Sequence, residues 1–244
     1  MKKLFYTLIG AIVIPLNILL AQEESLNRLP LIGERAPSFE ATTTQGTIKF
    51  PEDYFGKWKI LFSHPADFTP VCTSEMIELA KRQEEFKKLN TALVVISVDG
   101  LNSHISWVNS IESLEYKGEK GVKIDFPLVS DVSLEVSKKY GMLHPYSSTS
   151  RDIRGVFIID PDNKVRALFY YPSSTGRNID EIKRTLVALQ LHEKENVYTP
   201  ANWQVDDDVL IPSPGSMDEA KKLRSKNKED LHEVVWYMWF KKQK

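Results

Sequence analysis

The chain has 244 residues, with 32 basic against 33 acidic side chains and a formal net charge of −1. That balance leaves no basic surface for nucleic acid, and a hydrophobic content of 42% is that of an ordinary globular protein. One cysteine, Cys72, excludes an intrachain disulfide, a Cys-x-x-Cys redox pair and a multi-cysteine zinc site.

Met1-Lys2-Lys3 is basic, and Leu4 to Ala21 is almost wholly apolar before Gln22-Glu23-Glu24. The pattern predicts a signal peptide over residues 1–21, cleaved after Ala21, and hence an exported protein, periplasmic or otherwise outside the cytoplasm. An uncleaved membrane anchor is the competing expectation, weakened by Pro15 and Asn17. A linker follows to Asn27. Trp58 to Ser63 reads as a strand that His64-Pro65 ends, and from Cys72 the pattern turns helical, with Met76, Leu79, Ala80, Phe86 and Leu89 near a 3.6-residue period. Leu93 to Val98 is a buried-strand run, Asn102 to Ile111 a short helix, Phe126 to Asp131 a strand and turn, and Leu134 to Tyr140 helical. Val156 to Ile159 and Val165 to Tyr171 predict a hairpin about Pro161-Asp162-Asn163, and Ile179 to His192 a helix. Strands mixed with helices make an α/β class over residues 29–193. Residues 194–244 form a C-terminal extension with Pro200, Pro212 and Pro214, a charged helix from Met217, and an apolar run from Leu231 to Phe240. Such a run is rarely left in solvent, so it is expected to meet the core or a second subunit.

The setting of Cys72 makes it a reactive thiol rather than packing material. Thr69-Pro70 suits a helix entry, a capping hydroxyl followed by proline in the first turn. Cys72 then falls in that first turn, where unpaired amides and the positive end of the helix dipole favour thiolate over thiol. The Thr69 hydroxyl is within reach of the sulfur and of a bound oxygen. Pro65 has no N–H and covers the sulfur against water. The amides of Val71 and Cys72 are placed to hold an anionic oxygen. His64 either lines the pocket mouth or is a hydrogen-bonded structural histidine. Arg154 opens the apolar run Gly155 to Ile159, and a cation at the edge of a buried strand needs an anion nearby. Arg151, one short step away, competes for that place.

The run His64-Pro65-Ala66-Asp67-Phe68-Thr69-Pro70-Val71-Cys72-Thr73-Ser74-Glu75 resembles the active-site signature of the peroxiredoxins, Pro-x-x-x-Thr-x-x-Cys, and in its longer form the 1-Cys branch. Leu31 to Phe39 resembles the family's opening, Arg154 to Asp162 the segment carrying its active-site arginine, Tyr171 to Asn178 a second signature whose arginine is Arg177, and Thr199 to Trp203 the branch's extension. The resemblance spans residues 29–215. It implies a thioredoxin-like fold, a central mixed sheet flanked by helices, with a C-terminal extension used for dimerisation. It implies a thiol-dependent peroxidase with Cys72, Thr69, Pro65 and Arg154 catalytic, and Arg154, Val71, His64 and Arg177 on the substrate.

Cys72 would attack a hydroperoxide and become a sulfenic acid, which an external thiol, thioredoxin-like or of low molecular weight, would reduce. The implied protein is a homodimer or a ring of dimers needing no metal or cofactor. A holdase or structural ring protein with secondary peroxidase activity is the alternative. The lipase element of some relatives has no counterpart, since Phe55-Gly56-Lys57-Trp58-Lys59 contains no serine.

Overall fold

The computed structural model describes residues 28–225 and 229–243. The expected signal segment and its cleavage site lie outside them. Among the described residues no helix is long and apolar enough to cross a membrane.

A seven-stranded mixed sheet forms the centre, in the order β2-β1-β7-β4-β3-β8-β9. Its strands are β1 (Phe39–Thr43), β2 (Gly46–Phe50), β3 (Trp58–Ser63), β4 (Thr91–Ser97), β7 (Leu128–Ser130), β8 (Arg154–Ile159) and β9 (Val165–Tyr171). β3 and β4 run parallel, as do β4 and β7, while β8 lies antiparallel to β3. A detached two-stranded ribbon supplies β5 (Glu115–Tyr116) and β6 (Glu119–Lys120).

β3 shows why the sheet is a sandwich filling. Its residues are all buried, and alternate side chains serve opposite faces. Ile60 and Phe62 join Met76, Leu79 and Phe86 of α1 (Pro70–Lys88), Trp107 and Ile111 of α2 (Leu101–Ser113), and Ile182 and Leu186 of α4 (Ile179–Glu195). Leu61 faces the other way, with Phe39, Phe50 and Phe157, and with Val136 of α3 (Glu135–Lys139). The hairpin β1–β2 closes this second face. The sequence leaves it unassigned because Glu40, Thr42, Thr47 and Lys49 interrupt its apolar positions.

The extension is fastened to the domain. Val197, Trp203 and Val209 form a third cluster against Val187, Ala188 and Leu191 of α4, and the Trp203 indole donates to the Asp207 carbonyl. Beyond lie α5 (Met217–Ser225) and a small sheet of β10 (Val209–Leu210), β12 (Met238–Lys241) and β11 (Leu231–Val235). The apolar terminal run is thus a hairpin. Trp239 is buried, while Trp236 and Tyr237 at its turn remain exposed.

One buried carboxyl works against the fold at high pH. Asp152 is 2% exposed, and its one hydroxyl neighbour, Ser137, gives its proton to Asp131 Oδ2 at 2.6 Å, so neither Asp152 oxygen receives a well-formed hydrogen bond. Burial, with the neighbouring Asp131 and Asp99 carboxylates adding, pushes its pKa up to about 7. The folded chain therefore keeps a proton that the unfolded chain releases at about pH 4. This group's favourable contribution is complete below that pH and is lost as pH rises through about 7. Asp152→Asn is expected to remove this slope, gaining on the order of 2 kcal/mol over the wild type between about pH 5 and pH 8. Urea unfolding at both values checks it, and an equal stability difference at the two pH values would refute the account.

Candidate active site

Thr69 occupies the N-cap position of α1 in extended backbone, φ −110° and ψ 146°, and Pro70 begins the helix. Proline suits that place because its missing N–H has no intrahelical partner to lose. Cys72 follows in the first turn, 0% exposed and packed among the apolar residues of the α1 face. The amides of Val71 and Cys72 have no acceptor among the described residues, and the first backbone bond of the helix is Thr73 N–H to Thr69 O at 2.9 Å. These two unpaired amides and the positive end of the α1 dipole belong to the same first turn as Cys72.

Arg154, first residue of β8, reaches the sulfur from the neighbouring strand. Its Nη1 lies 3.3 Å from Cys72 Sγ and 2.7 Å from Glu75 Oε2. Its Nε and Nη2 donate to the Ser173 carbonyl at 3.1 and 2.6 Å, which fixes the guanidinium plane. Arg151 is exposed, so the two competing arginines separate cleanly.

Glu75 is the residue that sequence reasoning passed over. Both its oxygens are buried and fully engaged. Oε1 accepts from the Arg177 backbone N–H at 2.8 Å and its Nε at 2.9 Å, while Oε2 accepts from Arg177 Nη2 and Arg154 Nη1, both at 2.7 Å. Four donors on two oxygens demand the ionised carboxylate. One signal was present. Glu75 lies one helical step, three residues, after Cys72 and so on the same face of α1.

Arg177 was expected to contact substrate, but its side chain is occupied elsewhere. Besides Glu75 it binds the Ser63 carbonyl at 2.7 Å and the Gly155 carbonyl at 2.9 Å through Nη1, and its guanidinium lies 3.3 Å over the Phe62 ring. Burial pushes its pKa down and Glu75 opposes the shift. Arg177 thus holds Glu75 and, through Ser63 and Gly155, the ends of β3 and β8.

These contacts leave a charge imbalance. Arg154 and Arg177 are two buried cations, and Glu75 is one buried anion. An uncompensated buried charge is costly. The Cys72 sulfur, on the Arg154 side of the cluster, is the atom placed to supply the second negative charge as thiolate.

Thr69 differs from expectation. Its hydroxyl caps no helix amide and instead donates to the Ala66 carbonyl at 3.0 Å. The loop before the helix turns that carbonyl towards it. With its proton so committed, the Thr69 oxygen acts as an acceptor and suits an O–H group of a ligand. Pro65 is buried, as a cover over the sulfur requires. His64 does not stand at a pocket mouth. It is fully buried, and its Nε2 faces Asp67 Oδ1 at 3.7 Å, beyond ordinary hydrogen-bond distance. Burial first, then His104 and Arg177, push its pKa well below the usual histidine range, so it is neutral.

His64, Asp67 and His104 bring ligand-type atoms within 4.8 Å of one another. The set is already spent, however. Both Asp67 oxygens face His104 Nδ1, at 2.9 and 3.1 Å, and His104 Nε2 faces the Val129 carbonyl at 3.1 Å. With both His104 nitrogens facing oxygens, His64 is the one free imidazole of the set, and one imidazole beside one carboxylate falls short of a metal centre.

A first-turn cysteine on a thioredoxin-like sheet, contacted by a buried arginine and preceded by a buried proline and a threonine, defines a cysteine-based peroxidase. The comparisons with known proteins agree. Residues 32–168 match the AhpC/TSA family, and residues 188–227 match the C-terminal domain of 1-Cys peroxiredoxin. A peroxiredoxin of Methanosarcina mazei is 55% identical over 215 residues, covering 88% of this chain and 98% of the relative. One of Thermotoga maritima is 46% identical over 220 residues, covering 88% and 98%. Among solved structures, the yeast mitochondrial 1-Cys peroxiredoxin, studied for thiol resolution by glutathione and thioredoxin systems, superposes with a TM-score of 0.75 at 40% identity, covering 88% of this chain and all of that one. A cysteine-to-serine mutant of peroxiredoxin 6 of Arenicola marina gives a TM-score of 0.77 at 34% identity, covering 88% and 99%. The chain belongs to the peroxiredoxin family, in its 1-Cys branch, and is a thiol-dependent peroxidase.

Proposed function

We propose that Cys72, Thr69, Pro65 and Arg154 carry the peroxidase reaction, with the Val71 and Cys72 amides on the substrate oxygen and with Glu75 and Arg177 holding Arg154. The observation that carries this reading is the Arg154 Nη1 contact to Cys72 Sγ, at 3.3 Å, inside a cluster of two cations and one carboxylate. The Cys72 thiolate attacks the terminal oxygen of a hydroperoxide. The S–O bond forms as the O–O bond breaks. The attacked oxygen keeps its proton, giving a sulfenic acid, and the departing alkoxide or hydroxide takes a proton to leave as alcohol or water. Arg154 and the two amides stabilise the negative charge moving from sulfur to the leaving oxygen. Thr69, accepting the peroxide O–H, orients the attacked atom.

Cys72 has no second cysteine in the chain to resolve its sulfenic acid. An external thiol therefore condenses with it, releasing water and leaving a mixed disulfide that a second thiol cleaves. The glutathione and thioredoxin systems named for the yeast relative supply the class of reductant to test first. The working unit is a homodimer or a ring of dimers, to which the exposed Trp236 and Tyr237 turn contributes contact area. The basic start and apolar stretch of residues 1–21 support export with cleavage after Ala21.

Mass spectrometry of dimedone-treated protein from the native host tests these points together. A dimedone adduct is expected on Cys72 after peroxide and its loss after glutathione or thioredoxin, on a chain that begins at Gln22. Absence of the adduct would overturn the reaction, and a chain retaining residues 1–21 would make the segment an anchor.

A further inference from the structure

The loop that carries Pro65 and Thr69 contains a strained link. Phe68 has φ of 53° and an exposed ring. The left-handed region is unfavourable for a bulky side chain, so its neighbours must impose it. Residues on both sides of it are held by α2. On the near side His104, 0% exposed, faces the Asp67 carboxylate through Nδ1 at 2.9 Å and the Val129 carbonyl through Nε2 at 3.1 Å. Both of its ring nitrogens face oxygens, so neither is left without a partner. The Asp67 amide in turn donates to Asp99 Oδ2 at 2.9 Å, an oxygen that also accepts from Ser97 Oγ at 2.8 Å. On the far side Trp107 Nε1 donates to Thr73 Oγ1 in the first turn of α1 at 3.2 Å. His104 and Trp107 stand three residues apart, on one face of α2.

We infer that His104 is a positioning residue for the peroxidase reaction: its pairing with Asp67 clamps the loop so that Phe68 stays left-handed and Thr69 stays aimed at the bound peroxide. The inference rests on the peroxidase reading of Cys72. His104 touches neither the sulfur nor Arg154, so the clamp acts on the reaction with peroxide and not on the thiolate itself. That distinction supplies the test.

The wild type, His104→Gln and Asp67→Asn are compared for the rate constant of Cys72 with hydrogen peroxide and for its alkylation by iodoacetamide, which needs a thiolate but no Thr69. Misplacing a reacting group by about 1 Å costs roughly 10²-fold. The peroxide rate is therefore expected to fall about 10- to 100-fold, with alkylation falling no more than about threefold. Circular dichroism shows which variants are folded, and Asp67→Asn, which keeps the volume of the aspartate, gives the reading if His104→Gln is not. A parallel fall of both rates in a folded variant would place the effect at the sulfur and overturn the clamp. So would two unchanged rates. Cys72→Ser, run beside them, separates the two levels: turnover surviving in it removes the peroxidase reading, whereas its clean loss with an unmoved His104 variant removes only the clamp.

Discussion

Cys72→Ser is expected to abolish peroxide turnover while the chain still folds. Serine is close to cysteine in shape, but its hydroxyl does not ionise near neutral pH, and the anion is the nucleophile. No second sulfhydryl exists to take over, since Cys72 is the only cysteine. The charge cluster adds a second consequence. Arg154, Arg177 and Glu75 keep one buried positive charge that a neutral serine cannot balance. Stability should therefore fall by roughly 1–3 kcal/mol, the usual cost of leaving a buried polar group without its partner. Coupled peroxide assays and urea unfolding measure the two effects separately. Residual turnover above about a tenth of the wild type would place the chemistry elsewhere, because a seryl hydroxyl cannot sustain it.

The parts of this site that the sequence displayed are those whose residue type is itself unusual. A cysteine after Thr69-Pro70 announces a helix N-terminus, and an arginine heading the apolar run of β8 announces a buried cation. Glu75 gave no such notice. It belongs to a helix that also carries Glu78, Glu84 and Glu85, and composition cannot say which carboxylate turns inward. Only the meeting of β3, β8 and the Gly176-Arg177 turn around α1 distinguishes it. The Thr69 hydroxyl was misread for a related reason. Capping is the commoner habit of a threonine there, but the Ala66 carbonyl, turned inward by the loop, competes for its proton. His104 was silent as well, as a lone histidine within a short helix. The β1–β2 hairpin escaped notice because half of each strand faces solvent with Glu, Thr and Lys. The sheet centre was legible because β3, β4 and β8 are buried on both faces and read as continuous apolar runs.

Arg154→Met is expected to reduce kcat/KM by about 10²- to 10³-fold, the usual consequence of removing one oriented donor from a developing charge. Methionine keeps much of the length of the side chain and none of its donors. Two losses combine. The sulfur loses the Nη1 contact at 3.3 Å, and the departing oxygen loses its nearest cation. Removal of the charge also changes the cluster's balance: Arg177 and Glu75 then neutralise each other, and only the first-turn amides and dipole of α1 remain to favour a thiolate. Alkylation of Cys72 by iodoacetamide should accordingly be slower in the variant. Arg151→Met is the control. Its side chain is exposed, only three positions earlier, and its loss should leave both the peroxide rate and the alkylation rate unchanged. Were Arg151→Met to give the larger effect, the exposed arginine would have to fold inward during catalysis, and the buried cluster would be a structural clasp rather than the device that activates Cys72.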